Sequence, residues 1–147
     1  MLTFRRLGLD DARVLLDAAV ARAKAIGVPI SVAVSDESGT LIGFERMDGG
    51  KVTSVSIAID KAFTAAGAKA PTSFYFDESN PASRRIQGTN GGRFITLRGG
   101  VPVEVDGEIV GAIGVSGGTG QQDVDVADHA TTALLAHLGA SGSSQQA

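Results

Sequence analysis

Glu45, Arg46 and Asp48 close a short apolar run, where strand alternation sends Glu45 and Met47 to one side and Arg46 and Asp48 to the other. A guanidinium there can hold a carboxylate through two parallel hydrogen bonds, which makes Arg46 a candidate anchor for an anionic ligand. The same residue also suits a surface salt bridge, which contributes about 0 to 1 kcal/mol. Lys61 lies within a stretch of small and apolar residues. Desolvation of its amine would equip it as a base or for a Schiff base with a carbonyl compound, and Glu45 is a second candidate base. The alternative for Lys61 is a lysine paired with an acid, in solvent or across a subunit boundary.

Other residue groups offer weaker chemistry. Asn90-Gly91-Gly92-Arg93 is a donor-rich bend whose successive amides can cradle an anion, or a plain loop. Gly117-Gly118-Thr119-Gly120 precedes a helical pattern and could present amides to a negative group, yet no lysine follows the glycines as a phosphate-binding loop requires. His129 and His137 are eight residues apart on one helical pattern, too far to share a metal ion, so no metal site is expected. Met47 reads as core packing. The strongest local pattern is Gly99 to Gly118, GGVPVEVDGEIVGAIGVSGG, where Val101, Val103 and Val105 alternate, Asp106-Gly107 turns, and Ile109 to Val115 returns. Gly99, Gly100, Gly111, Gly114 and Gly117 mark places where a ligand or another backbone can approach closely.

The elements that position these groups follow from periodicity. Leu9 to Ile26 carries apolar residues at helical spacing and stops at Gly27, with Asp10 and Asp11 at its positive start. Pro29 to Val34 and Leu41 to Met47 form a hairpin, Val52 to Ala70 is a helix rich in alanine, and Pro71 ends it. Thr72 to Arg93 is a long ordered loop with short helical turns, a candidate lid. Phe94 to Arg98 is a third strand, the glycine-margined hairpin supplies two more, and Gln122 to Leu138 is a closing helix capped by Gly139. The expected architecture is α+β, a five-stranded antiparallel sheet with helices packed on it, and helices on both faces match the largely apolar Ile30 to Val34 and Ile109 to Val115, because a strand covered on both sides need not alternate. Residues 1–139 form a single domain, and residues 140–147 a disordered polar tail.

Composition narrows the function classes. With 43% hydrophobic and 20% charged residues among 147, the chain fits one globular domain with a real core. A net charge of -3, with its 13 basic residues dispersed, argues against nucleic-acid and membrane-surface partners. The absence of cysteine removes disulfides, thiolate metal sites and a cysteine nucleophile. No leader pattern and no apolar run of about 18 residues is present, so a cytoplasmic location is expected.

Phe44-Glu45-Arg46-Met47-Asp48-Gly49, then Ile59-Asp60-Lys61-Ala62, then the Gly99 to Gly117 hairpin with Asp123 soon after, resemble in order and spacing the GlcG/HbpS-like family, once a domain of unknown function. The likeness runs from about Leu9 to Leu138. It implies a profilin-like fold, self-association from dimers to octamers, and in some members haem or corrinoid-linked binding. This chain has no cysteine, no amino-terminal acidic iron-binding motif and no histidine before the last helix, so haem ligation does not carry over residue by residue and the cofactor stays unknown. The reading favoured by the sequence is an oligomeric small-molecule-binding protein with Arg46, Lys61, Asn90, Gly99, Gly100 and Gly117 around an anion near a subunit interface. The rival is a cofactor-independent enzyme acting on a small oxo acid, with Lys61 or Glu45 as base and Arg46 as anchor.

Overall fold

A computed structural model describes residues 1–75, 77 and 79–146, with side chains to residue 141. Four strands, β1 (Ser31–Asp36), β2 (Leu41–Arg46), β3 (Gly100–Val105) and β4 (Glu108–Ser116), form one antiparallel sheet in the order β2-β1-β4-β3. Helices α1 (Leu9–Ile26) and α4 (Gly120–Gln146) pack together on one face, and α2 (Ser54–Ala68) covers the other. The short α3 (Pro81–Ile86) and two 3₁₀ turns, Thr72–Tyr75 and Asn90–Gly92, fill the connection between α2 and β3.

The two faces differ in side-chain size, and that difference sets how closely each helix layer approaches. Val32, Val34, Ile113 and Val115 point toward α1 and α4, where they join Leu15, Leu134 and Val126 in the main core. Burying each such side chain fully contributes about 1.5–3 kcal/mol. Ser31, Ala33, Ser35, Ala112 and Gly114 point the other way, toward Ala58, Ala62, Ala65 and Ala66 of α2. All six residues of β1 are buried, as expected of a strand covered on both faces. The alanines of α2 therefore serve close approach: a Cβ at Gly114 would overlap the Ala58 carbonyl oxygen and stand 2.6 Å from the Ala62 nitrogen.

Two expectations about elements are corrected. Phe94 to Arg98 is not a strand, so the sheet has four strands and not five. Its backbone bonds side chains instead of a neighbouring strand: buried Thr64 Oγ1 donates to the Arg93 carbonyl at 3.2 Å and accepts from Ile95 N at 3.0 Å. Buried Thr72 Oγ1 likewise donates to the Leu97 carbonyl and accepts from Gly100 N at 3.0 Å. Gly99, at φ +122°, then turns the chain into β3. Helix α4 passes through Gly139, where the sequence places its stop. By contrast α1 occupies Leu9–Ile26 and ends at Gly27 in the left-handed conformation, φ 73°.

A buried lysine–aspartate pair under an open cleft

Lys61 lies on the face of α2 turned to the sheet, with its side chain 3% exposed. Its ammonium donates to the Val115 carbonyl at 2.7 Å and to Asp123 Oδ2 at 3.1 Å, and Asp123 is itself buried in the first turn of α4. The second carboxylate oxygen of Asp123 accepts from Gly118 N at 2.9 Å. One ion pair thus ties α2 to the end of β4 and to the start of α4. Burial pushes the Lys61 amine below the ordinary lysine value, and the nearby Asp123 carboxylate opposes that shift.

Above the pair opens a cleft of about 410 Å³, lined by Lys61, Leu97, Arg98, Ser116, Gly118, Gly120, Gln121 and Asp123. Thr119 and Gln122 close the entry to α4 reciprocally: Thr119 N donates to Gln122 Oε1 at 2.9 Å and Gln122 N to Thr119 Oγ1 at 3.2 Å. The stem of Arg98 lies against Gly120, where a Cβ would stand 3.2 Å from the Arg98 Cβ and Cδ atoms. Its guanidinium is left on an exposed side chain, without an ion pair among the described residues. Among the described residues two cations and one anion line the cleft, a net charge of +1, beside the positive end of α4.

The residues singled out by sequence separate into three places. Lys61, Gly99 and Gly100 meet at the pair, although Gly99 and Gly100 are filled by protein. A Cβ on Gly99 would overlap the Val115 carbonyl oxygen and stand 2.9 Å from Lys61 Nζ, and one on Gly100 would stand 2.6 Å from the Lys61 carbonyl oxygen. Gly117, at φ +137°, adjoins the cleft through Gly118, yet its own gap is taken by Pro29 and Ile30. Arg46 and Glu45 are exposed and line a separate hollow with Val20, Lys24, Met47 and Asp48. Asn90 lines a third, small hollow with Phe63, Thr64, Gly67, Ala68 and Phe94, and its amide donates to Thr89 Oγ1.

The close approaches expected at the glycines are therefore real, but what approaches is backbone and neighbouring side chains. Asp60, adjacent to Lys61, turns away and pairs at 3.1 Å with Arg93, whose guanidinium stacks 4.0 Å over the Phe63 ring. None of the described residues of the Thr72 to Arg93 segment lines the cleft. Its described residues Tyr75, Asp77, Ser83, Arg84 and Gln87 border a neighbouring hollow with Thr96 and Leu97, while Phe76 and Glu78 lie outside the described residues. His129 and His137 are exposed on α4, and His129 Nδ1 lies 3.1 Å from the Asp125 carbonyl oxygen. Among the described residues no cluster of three or more His, Cys, Asp or Glu could hold a metal, and no helix is long and apolar enough to cross a membrane.

Sequence reading did not find Arg98 and Ser116 as site residues, and it met Asp123 only within the family motif. The available signal was positional: one cation immediately before Gly99-Gly100, one hydroxyl at the end of β4, and one acid in the first turn of α4.

A family model described as haem-degrading protein HbpS-like matches residues 7–132. An uncharacterized 15.0 kDa protein in the dhaT-dhaS intergenic region of Citrobacter freundii is 38% identical over 117 residues, covering 78% of this chain and 82% of that protein. The crystal structure of Klebsiella pneumoniae ORFY aligns with a TM-score of 0.89 at 30% identity, over 92% of this chain and 95% of ORFY. That of a PduOC:haem complex aligns with a TM-score of 0.82 at 33% identity, over 87% of this chain and 94% of PduOC.

Proposed function

This chain belongs to the HbpS-like family, and on that premise we propose that it is a small-molecule-binding protein whose anionic ligand occupies the cleft above the Lys61–Asp123 pair. The observation that carries this reading is a cleft whose described lining has a net charge of +1, built on a buried ion pair. Binding clefts of comparable size, about 300–1,000 Å³, combine an apolar wall with a few fixed polar groups. Here Leu97 is the apolar wall, and Arg98, Lys61, Ser116 and the first turn of α4 are the polar groups.

The haem carried by PduOC does not fit this cleft through its iron. None of its described lining residues is the histidine, methionine, tyrosine or cysteine that ordinarily holds haem iron. The Lys61 amine is committed to Val115 and Asp123. The groove beside His129 has Asp125, paired with Arg22 at 2.9 Å, and Asp128 on its wall, and no lysine or arginine among its described lining residues to hold the propionates of haem. Self-association belongs to the same proposal. Leu97, 48% exposed at the cleft rim, and Phe74, 74% exposed, would be covered by a second copy, which places the ligand near a subunit boundary.

The test is an untargeted mass-spectrometric inventory of small molecules released from the purified protein and from Arg98→Glu, whose exposed side chain leaves the fold intact. An acid present in the first and depleted in the second supports the reading. Identical inventories would remove the cleft from the account.

A further inference from the structure

Resting on the cleft as the binding site, we infer that the ligand is a small monocarboxylate bearing a hydroxyl or carbonyl oxygen next to its carboxylate. The second oxygen is assigned by Ser116. This residue is 6% exposed, lines the cleft, and its hydroxyl makes no hydrogen bond among the described residues. Ser31, its partner across β1, also has an unbonded hydroxyl, but that atom is sealed from solvent. The Ser116 hydroxyl is not sealed, so a ligand oxygen can reach it. A hydroxyl both donates and accepts, and therefore takes either an alcohol or a carbonyl oxygen.

The carboxylate seat lies beside it. Gly118 N is taken by Asp123, Thr119 N by Gln122, and Gln122 N by Thr119. The N–H groups of Gly120 and Gln121, the first two residues of α4, have no protein acceptor among the described residues. Both residues line the same cleft as Arg98. An oxyanion there meets two backbone donors and a guanidinium that has no other ion pair. Lys61 keeps one of its three N–H donors beyond those given to Val115 and Asp123, and it lines the same cleft as Ser116.

Charge then selects among anions. The lining residues sum to +1, which one carboxylate neutralises. A dicarboxylate or a phosphate dianion would leave excess negative charge against buried Asp123.

The experiment is an amide NMR titration of the full chain with L-lactate, propionate, succinate and inorganic phosphate, following Gly118, Gly120 and Gln121. Saturable shifts are expected at these amides. Lactate should bind about fivefold tighter than propionate, and both tighter than succinate or phosphate. Ser116→Ala should reduce lactate to the propionate value and leave propionate unchanged. Arg98→Gln should weaken both by about tenfold or more. Equal affinities for lactate and propionate, or tighter binding of succinate or phosphate, would overturn the inference while leaving the cleft as the binding site. No saturable shift at these amides with any of the four would overturn the cleft reading as well. The lactate-to-propionate ratio of the unaltered chain decides the matter even if Ser116→Ala does not fold.

Discussion

Replacing Lys61 by methionine removes the ammonium but keeps most of the side-chain stem. Asp123 would then be a buried carboxylate holding one hydrogen bond, from Gly118 N, and the Val115 carbonyl would lose the donor now at 2.7 Å. Removing one partner from a buried pair costs about 3–5 kcal/mol, because the remaining charge is left uncompensated. With a urea slope of about 2 kcal/mol/M for a domain of this size, the unfolding midpoint should fall by about 1.5–2.5 M. Lys61→Met/Asp123→Leu should recover most of that loss, since apolar replacement of a whole buried pair is close to neutral. The pH dependence has a definite sign. Burial holds the Lys61 amine below 10.5, so between its folded value and 10.5 the unfolded chain binds more protons and stability from this group rises with pH. Lys61→Met lacks that contribution, and the gap between the two proteins should widen as the pH is raised toward 10.5. Circular-dichroism urea melts from about pH 7 upward measure both effects. A loss below about 1 kcal/mol, the range of solvent-exposed pairs, would refute the claim that this pair is shielded from water.

Three further outcomes are expected. Gly114→Ala places a methyl group into the Ala58 carbonyl, so it should destabilise by at least the roughly 1–3 kcal/mol of ordinary overpacking, read from the same urea melts. Thr119→Ala removes the acceptor for Gln122 N at the start of α4 and should cost about 1 kcal/mol, seen as a lowered melting temperature. Arg46→Ala, at an exposed position that lines a different hollow, should change stability by less than about 0.5 kcal/mol and leave lactate affinity unchanged in calorimetry.

Local pattern made most of the fold legible, because its elements rest on short-range signals. Helical spacing with Asp10 and Gly27 at its ends fixes α1, and Asp106-Gly107 between alternating valines fixes the β3–β4 hairpin. The largely apolar runs Ile30 to Val34 and Ile109 to Val115, within and beside β1 and β4, announced helices on both faces. The missing fifth strand was not legible, since Phe94 to Arg98 has strand-like composition. Its hydrogen bonds go to the hydroxyls of Thr64 and Thr72, which are about 30 and 25 residues away in sequence.

The site was legible only in part, and for the same reason. Lys61 stood out as a cation in an apolar helix, and the glycines stood out as gaps. That α2 itself fills those gaps is a tertiary fact. Arg46 belongs to edge strand β2, two strands from β4 and so roughly 10 Å away at usual strand spacing, which composition along the chain does not convey. Arg98 and Ser116 come together only because Gly99 turns the chain beside the end of β4.

A crystal structure of the protein with L-lactate, or with the acid recovered from it, addresses the central claim most directly. The account predicts ligand density between Arg98, Ser116 and the amides of Gly120 and Gln121, with the Lys61–Asp123 pair intact beneath it. Density instead beside Arg46 and Lys24, or along α4 at His129, with this cleft holding only water, would contradict it.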